Sequence, residues 1–396
     1  MVTTSDIRLR WVLADPARER AVDPLGMAAQ ADRLADRLLP DLSVQTSRAR
    51  YLSFLCWAVD QSEGSPTQRA SIHRLEAKLA LEEARCHRDD SADECPGVVG
   101  RSNARRYLEG HAWKEPARPE RLYKNTAFAT YRPLMRALGL LARDRAGELT
   151  PAGERLANAF KQARGRTPRC LSDISSKERA PIRVLLGLDS RKHFRLSNRA
   201  ERRRSTYEIV RKRLDAGDWS AEILERYRKV GPRPSDVAAV LHQAFAWEVL
   251  SLGLTLAFSM LLNELRTGPV VRSLRTALGA HPRRPSLDQL DTDSMGAANV
   301  VALLREARRL RPDVLGLDPT PLRIGEILVL KRDPVGFLRS LVDRHRSAKP
   351  EDPWIALEGD RVRILAPNKN LAFLVRPRSY RLDAFAQLLR DLGMIR

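Results

Sequence analysis

The chain has 396 residues, of which 43% are hydrophobic and 30% charged; this allows two to four domains and excludes disorder throughout. Its 70 Lys and Arg against 49 Asp and Glu leave a net charge of +21, a surplus that fits a polyanionic partner, because each neutralised phosphate releases counterions. Only eleven of the 70 are lysine, an Arg bias that a GC-rich coding sequence also produces, but such a bias does not explain why the acids are so outnumbered.

Regular pattern begins at Asp23-Pro24-Leu25-Gly26, after which 28–39 is rich in helix formers and Pro40 ends the run. Thr46 and Ser47 can cap a helix over 48–60, with Tyr51, Phe54, Leu55 and Ala58 on one apolar face that Cys56 and Trp57 widen. These DPLG, LLP and TSRARYLSFLCW pieces resemble the opening of uncharacterised bacterial proteins associated with defence or mobile-element loci. In 68–88, Ile72, Leu75, Leu79 and Leu81 predict a further helix. His73, Cys86, His87 and Cys95 invite a metal reading, but zinc ligands pair about two to four residues apart, whereas Cys86 and His87 are adjacent and Cys95 sits in an acidic loop. No metal and no cofactor is expected. Cys56, Cys86, Cys95 and Cys170 lack the spacing of a disulfide framework and no signal peptide precedes Met27, so a reducing cytoplasm is the expected compartment. The acidic, then Pro/Gly-containing stretch 89–100 reads as a domain junction.

The most specific stretch follows. A helix over 102–107 carries Arg101, Arg105 and Arg106 at its start and along it, and a Pro116-Ala117-Arg118-Pro119 connector leads to 123–160. There Leu134, Met135, Leu138 and Leu141 recur at helical spacing, while Arg132 and Arg136, four apart, fall on the side left for solvent. Gly139 stops the helix, 143–147 forms a charged turn between two short apolar strands, and Thr150-Pro151 caps and begins the next helix. The third helical position there is Gly153 rather than Glu, so the capping box is incomplete. Leu138-Gly139-Leu140-Leu141, the turn ending at Gly147 and Leu149-Thr150-Pro151-Ala152-Gly153 make the segment around 101–162 resemble the winged helix-turn-helix superfamily. The resemblance implies that Lys124, Asn125, Thr126, Tyr131, Arg132 and Arg136 enter a DNA groove and that Arg143 and Arg145, on the wing, reach phosphate or the minor groove. The same fold also serves as a dimerisation or protein-docking module.

Beyond it, 161–169 is basic without an acid, and 199–214 is a second basic concentration in which Tyr207, Val210 and Leu214 mark a buried face and Arg202, Arg203 and Arg204 point outward as an electrostatic clamp, unless Glu201 and Glu208 pair them. The stretch 235–265 is apolar nearly all round; its longest apolar run, 249–262, is interrupted by Ser251, Gly253, Thr255 and Ser259 and is shorter than the ~20 residues a bilayer needs, so a buried core helix is expected and no membrane. Glu248 within it is a candidate buried acid. Helices are predicted over 271–278 and 297–310. The last hundred residues change character: strands at 327–330, 354–365 around Glu358-Gly359-Asp360, and 371–375, with helices over 335–345 and 382–392. Leu134-Met135-Arg136-Ala137-Leu138-Gly139-Leu140-Leu141 is echoed by Leu388-Leu389-Arg390-Asp391-Leu392-Gly393-Met394-Ile395, either a duplicated module or a recurring Gly-ended helix.

These features predict a mainly α, helical multidomain protein: an N-terminal helical region (1–100), a winged-helix-like module (101–165), a helical bundle with the Arg-rich helix (166–310) and a small C-terminal α+β module (311–396). The expected function is DNA binding in recognition or regulation, with duplex DNA and further protein subunits as partners. A scaffold subunit and a nuclease without a recognisable motif are the alternatives. No catalytic residue stands out: Gly-rich phosphate loops and hydrolase signatures are missing, and Asp313, Glu326 and Lys331 lack the spacing of metal-dependent nucleases.

Overall fold

The computed structural model describes residues 23–43, 46–86, 99–110, 126–142, 147–164, 174–186, 188, 207, 210, 236–264, 266–280, 296–365, 378 and 380–394. In chain order the helices are α1 (Ala28–Leu38), α2 (Arg50–Asp60), α3 (Gln68–Cys86), α4 (Arg101–Gly110), α5 (Ala127–Ala137), α6 (Pro151–Arg164), α7 (Ser176–Leu185), α8 (Asp236–Glu264), α9 (Thr267–Gly279), α10 (Ala297–Arg309), α11 (Arg311–Leu315), α12 (Pro319–Val329), α13 (Pro334–Ala348) and α14 (Leu382–Asp391), and the strands are β1 (Ile355–Glu358) and β2 (Arg361–Ile364). The described chain is thus mainly helical, with one two-stranded sheet near its C-terminal end. It divides into two units, the first from 1–14, 39–217 and 381–396, the second from 15–38 and 218–380. Segment 101–165 lies within the first unit; 1–100, 166–310 and 311–396 each contribute to both.

The first unit is built around α2, against which α3, α5, α6 and α7 pack. Its residues from Arg50 to Val59 are all buried, so it is a central helix rather than one with a single apolar face. The polar positions are tolerated because a carboxylate meets them: Ser53 Oγ donates to Glu178 at 2.6 Å and the Arg50 guanidinium lies 3.6 Å from the same group. Phe54, Trp57 and Phe160 interlock with ring centroids 5.4–5.9 Å apart, which ties α2 to α6.

The entry to α2 differs from the sequence expectation. The helix starts at Arg50, and Thr46 accepts the Ser43 N–H and donates back to its carbonyl instead of capping. The cap comes from the far end of the chain: the Asp391 carboxylate, at the end of α14, accepts the Ala49 N–H and Arg48 Nε, each at 3.0 Å. Burial pushes the Asp391 carboxyl up, against the pull of Arg48 and the Ala49 N–H. The Tyr131 hydroxyl completes the junction by accepting the Arg48 N–H at 2.9 Å and donating to the Arg48 carbonyl at 3.2 Å.

The second unit is built around α8, apolar nearly all round and long enough to cross a bilayer by length and composition. Here its surface is covered by α1 and by α9 to α13, as expected of a core helix. The one carboxylate in its middle, Glu248, accepts the Arg378 N–H at 2.8 Å and the Tyr380 hydroxyl at 2.9 Å, so its partners lie 130 and 132 residues away. Asp23 caps α1 by accepting the Met27 and Ala28 N–H groups. Residues 327–330, expected as a strand, belong to α12 and its C-cap. Asp318 caps that helix and Ile324 and Leu328, one turn apart, share its buried side; a short apolar run does not by itself distinguish the two states. The hairpin at 354–365 forms as expected, pairing Ile355 with Ile364 and Glu358 with Arg361 across a turn at Gly359-Asp360. The strand expected at 371–375 lies outside the described residues.

Two predictions follow from these buried polar groups. Asp391→Ala leaves a buried guanidinium without its carboxylate and is expected to lower stability by about 3–5 kcal/mol in urea unfolding, against under ~1 kcal/mol if the pair contributes nothing. The second concerns His345, whose Nδ1 donates to the Pro24 carbonyl at 2.7 Å and whose Nε2 accepts the Trp354 N–H at 2.9 Å, a pattern only the neutral ring satisfies. Burial lowers its pKa. Because folding lowers this pKa, the stability it contributes is complete above the unfolded value of about 6.5 and is lost as pH falls through the lower folded value. NMR titration of the histidine ring protons is expected to place His345 below 6.5; a value at or above 6.5 contradicts the assignment.

Candidate nucleic-acid interface

Helix α5, the candidate recognition helix, is held at both ends. Thr126 is its N-cap, the hydroxyl accepting the Ala129 N–H at 3.1 Å. The first two turn amides are taken by Glu76 of α3, which accepts Ala127 N–H at 2.9 Å and Phe128 N–H at 2.8 Å. Burial pushes the Glu76 carboxyl up to about 7, against the pull of those two donors. At the other end Gly139, at φ 69°, closes a Schellman motif in which Leu140 N–H reaches Met135 O at 2.9 Å and Gly139 N–H reaches Arg136 O at 3.0 Å. The echo at the C-terminus has the same cap: Gly393 at φ 62°, with Met394 N–H to Leu389 O at 2.9 Å and Gly393 N–H to Arg390 O at 2.8 Å.

The chain then returns as a short hairpin. Leu141 bridges Leu149, Ala142 N–H donates to Glu148 O at 2.9 Å and Thr150 N–H to Leu140 O at 3.0 Å, while the turn is tied down by Gln68 Nε2, 2.7 Å from Gly147 O. Thr150 caps α6 as expected, accepting the Gly153 N–H, and its own hydroxyl donates to the Gly139 carbonyl, so one side chain joins the end of α5 to the start of α6. A Cβ at Gly153 would collide with the Leu140 carbonyl oxygen, which leaves no room there for the Glu of a capping box.

On α5 the pattern separates cleanly. Leu134 and Met135 are fully buried, Arg132 is half-exposed and Arg136 exposed, beside the exposed Ala129 and Pro133. Among the described residues no carboxylate forms an ion pair with Arg132 or Arg136. Tyr131 departs from the expectation. It is wholly buried with its hydroxyl engaged on the Arg48 backbone, so it is a core residue and not a surface contact. Thr126 is half-buried, its hydroxyl spent on the cap. Lys124, Asn125, Arg143, Arg145, Arg202, Arg203 and Arg204 lie outside the described residues, whereas Tyr207 and Val210 are buried as the pattern of that helix implies.

Glu76 and Gln68, the residues that fix α5 and its hairpin, escaped the sequence reading because they sit 51 and 79 positions from their partners with no local signature. Of the residues weighed for metal-dependent cleavage, Asp313 is half-buried in α11 and Glu326 lies on α12 with Oε1 3.8 Å from Arg311 Nε. Among the described residues no group of three His, Cys, Asp or Glu side chains is placed to hold a metal ion. Comparison with protein-family models, curated proteins and solved structures gives no match.

The anchoring of α5 is testable directly. Glu76→Ala removes the acceptor for two amides at the helix start and is expected to raise hydrogen exchange at Ala127 and Phe128 by about tenfold or more, roughly 1–3 kcal/mol of lost protection. Unchanged exchange at both would show that Thr126 alone holds the helix start.

Proposed function

We propose that this chain binds duplex DNA, with α5 as the recognition helix, the 141–149 hairpin as the wing and α6 as the post-wing helix of a winged helix-turn-helix. The observation that carries the reading is the outward side of α5: Arg132 and Arg136 stand four residues apart, without a described carboxylate partner, on a helix pinned at its N-terminus by Thr126 and Glu76 and at its C-terminus by the Gly139 motif. A rigid helix presenting guanidinium groups loses little conformational freedom on meeting phosphate or base edges. The net charge of +21 supplies the long-range attraction that such contacts need.

Arg143 and Arg145 of the wing segment and Arg202, Arg203 and Arg204 further along the chain are, in this reading, further contacts to the DNA backbone. In this reading the protein acts by binding, with no chemistry of its own, and the resemblance of its opening residues to defence- and mobile-element-associated proteins favours recognition or regulation in such a system as its role. A cytoplasmic location and association with partner subunits complete the proposal.

Binding of a short duplex, followed by fluorescence anisotropy across a salt series, tests it. The expected result is an affinity that falls steeply with salt, and a shallower dependence, by about two in the log–log slope, for Arg132→Gln/Arg136→Gln. Absence of binding at low salt, or a double variant with the wild-type slope, contradicts the proposal. A fixed-stoichiometry protein complex that survives nuclease treatment, combined with no DNA affinity, would point to the scaffold alternative instead.

A further inference from the structure

The second unit has a basic face of its own. Arg266, just after α8, forms an antiparallel bridge with Arg361 of β2, and Thr267 N–H donates to Asp360 O at 2.7 Å. Residues directly opposite in an antiparallel bridge point to the same side, so two arginines are placed next to each other. Alternation along β2 puts Arg363 on that side as well, while Val362 turns inward. Arg266, Arg361 and Arg363 are all exposed. Glu358, the directly opposite partner of Arg361 in the hairpin, spends its carboxylate on Arg363 at 2.8 Å. Neither Arg266 nor Arg361 forms an ion pair with a described residue. Two like charges held side by side on a sheet repel each other, and the cross-strand carboxylate on that face, Glu358, is engaged by Arg363.

The surroundings extend the positive potential. Arg266 is the N-cap of α9 and contributes no side-chain acceptor, so the positive end of the helix dipole adds to the charge of the arginine pair. Helix α9 contains no acid, and Arg272 and Arg275 are exposed on it. A phosphodiester backbone is the occupant that fits: it offers successive anions, it relieves the arginine pair, and guanidinium groups bind it in bidentate fashion.

We infer that the sheet face carrying Arg266 and Arg361 is a second DNA-backbone contact, separate from α5. The inference rests on the DNA-binding reading and adds a contact that positions without reading sequence. Removing two phosphate contacts makes the log–log salt slope shallower by about 1.8.

The test uses the full chain, a short duplex and three double variants. Arg266→Gln/Arg361→Gln is expected to weaken binding about tenfold, to flatten the salt slope by about two, and to melt close to the wild-type temperature, because both side chains are exposed. Arg266→Lys/Arg361→Lys keeps the charge and is expected to keep most of the affinity, which separates loss of contact from loss of fold. Wild-type affinity and slope for the Gln variant overturn the inference. So does a Gln variant that aggregates without losing DNA affinity, which would make the arginines guards of the sheet edge, or one that loses binding to phosphatidylserine vesicles and not to DNA. Arg132→Gln/Arg136→Gln is measured alongside: if it alone is silent, the α5 assignment fails and this face stands, and if the sheet-face variant alone is silent, the reverse holds.

Discussion

The contact between Asp391 and the Arg48–Ala49 backbone and side chain is the constraint on which the first unit depends. One carboxylate from the end of α14 takes both a buried guanidinium and the amide at the start of the central helix. Burying either group costs hydration, which this carboxylate helps to offset. The same residue, Arg48, carries the backbone groups that Tyr131 of α5 grips. The position of the basic helix is thereby coupled to the closing of the chain.

This arrangement recurs as a general device. Glu178 meets Arg50 and Ser53 inside the first unit, Glu76 takes two amides of α5, and Glu248 joins the core helix of the second unit to Arg378 and Tyr380. In each case a buried acid satisfies donors from an element remote in sequence. A chain with a large cationic excess thus spends several of its acids internally, which leaves much of the surplus positive charge for the surface. Arg132 and Arg136 in one unit and Arg266 and Arg361 in the other are among the described arginines that form no ion pair with a described carboxylate.

Where the determinants are local, they were legible in the sequence. The period of the apolar residues marks α5, α8, α13 and α14 to within a few residues; Thr150-Pro151 marks the start of α6, Gly139 and Gly393 mark helix ends, and Gly359 marks the hairpin turn. Where the determinants are tertiary, the reading failed for a physical reason. Thr46 looked like a cap because nothing nearby announces Asp391. Tyr131 looked like a groove contact because a tyrosine on a basic helix reads as surface, and only the fold brings Arg48 to its hydroxyl. Ile327 to Leu330 looked like a strand because burial, not propensity, decided its conformation. For the candidate interface, the two arginines were legible from periodicity, while Glu76 and Gln68, which hold the helix and hairpin in place, were not.

The central claim is that the outward side of α5 meets DNA. Photo-crosslinking tests it most directly, with a benzophenone amino acid placed singly at Arg136 and, as a buried control, at Leu134, in the full chain mixed with duplex DNA at low salt. A DNA adduct that disappears as salt is raised is expected from position 136, and none from position 134. A chain that binds DNA yet gives no adduct from 136 would contradict it.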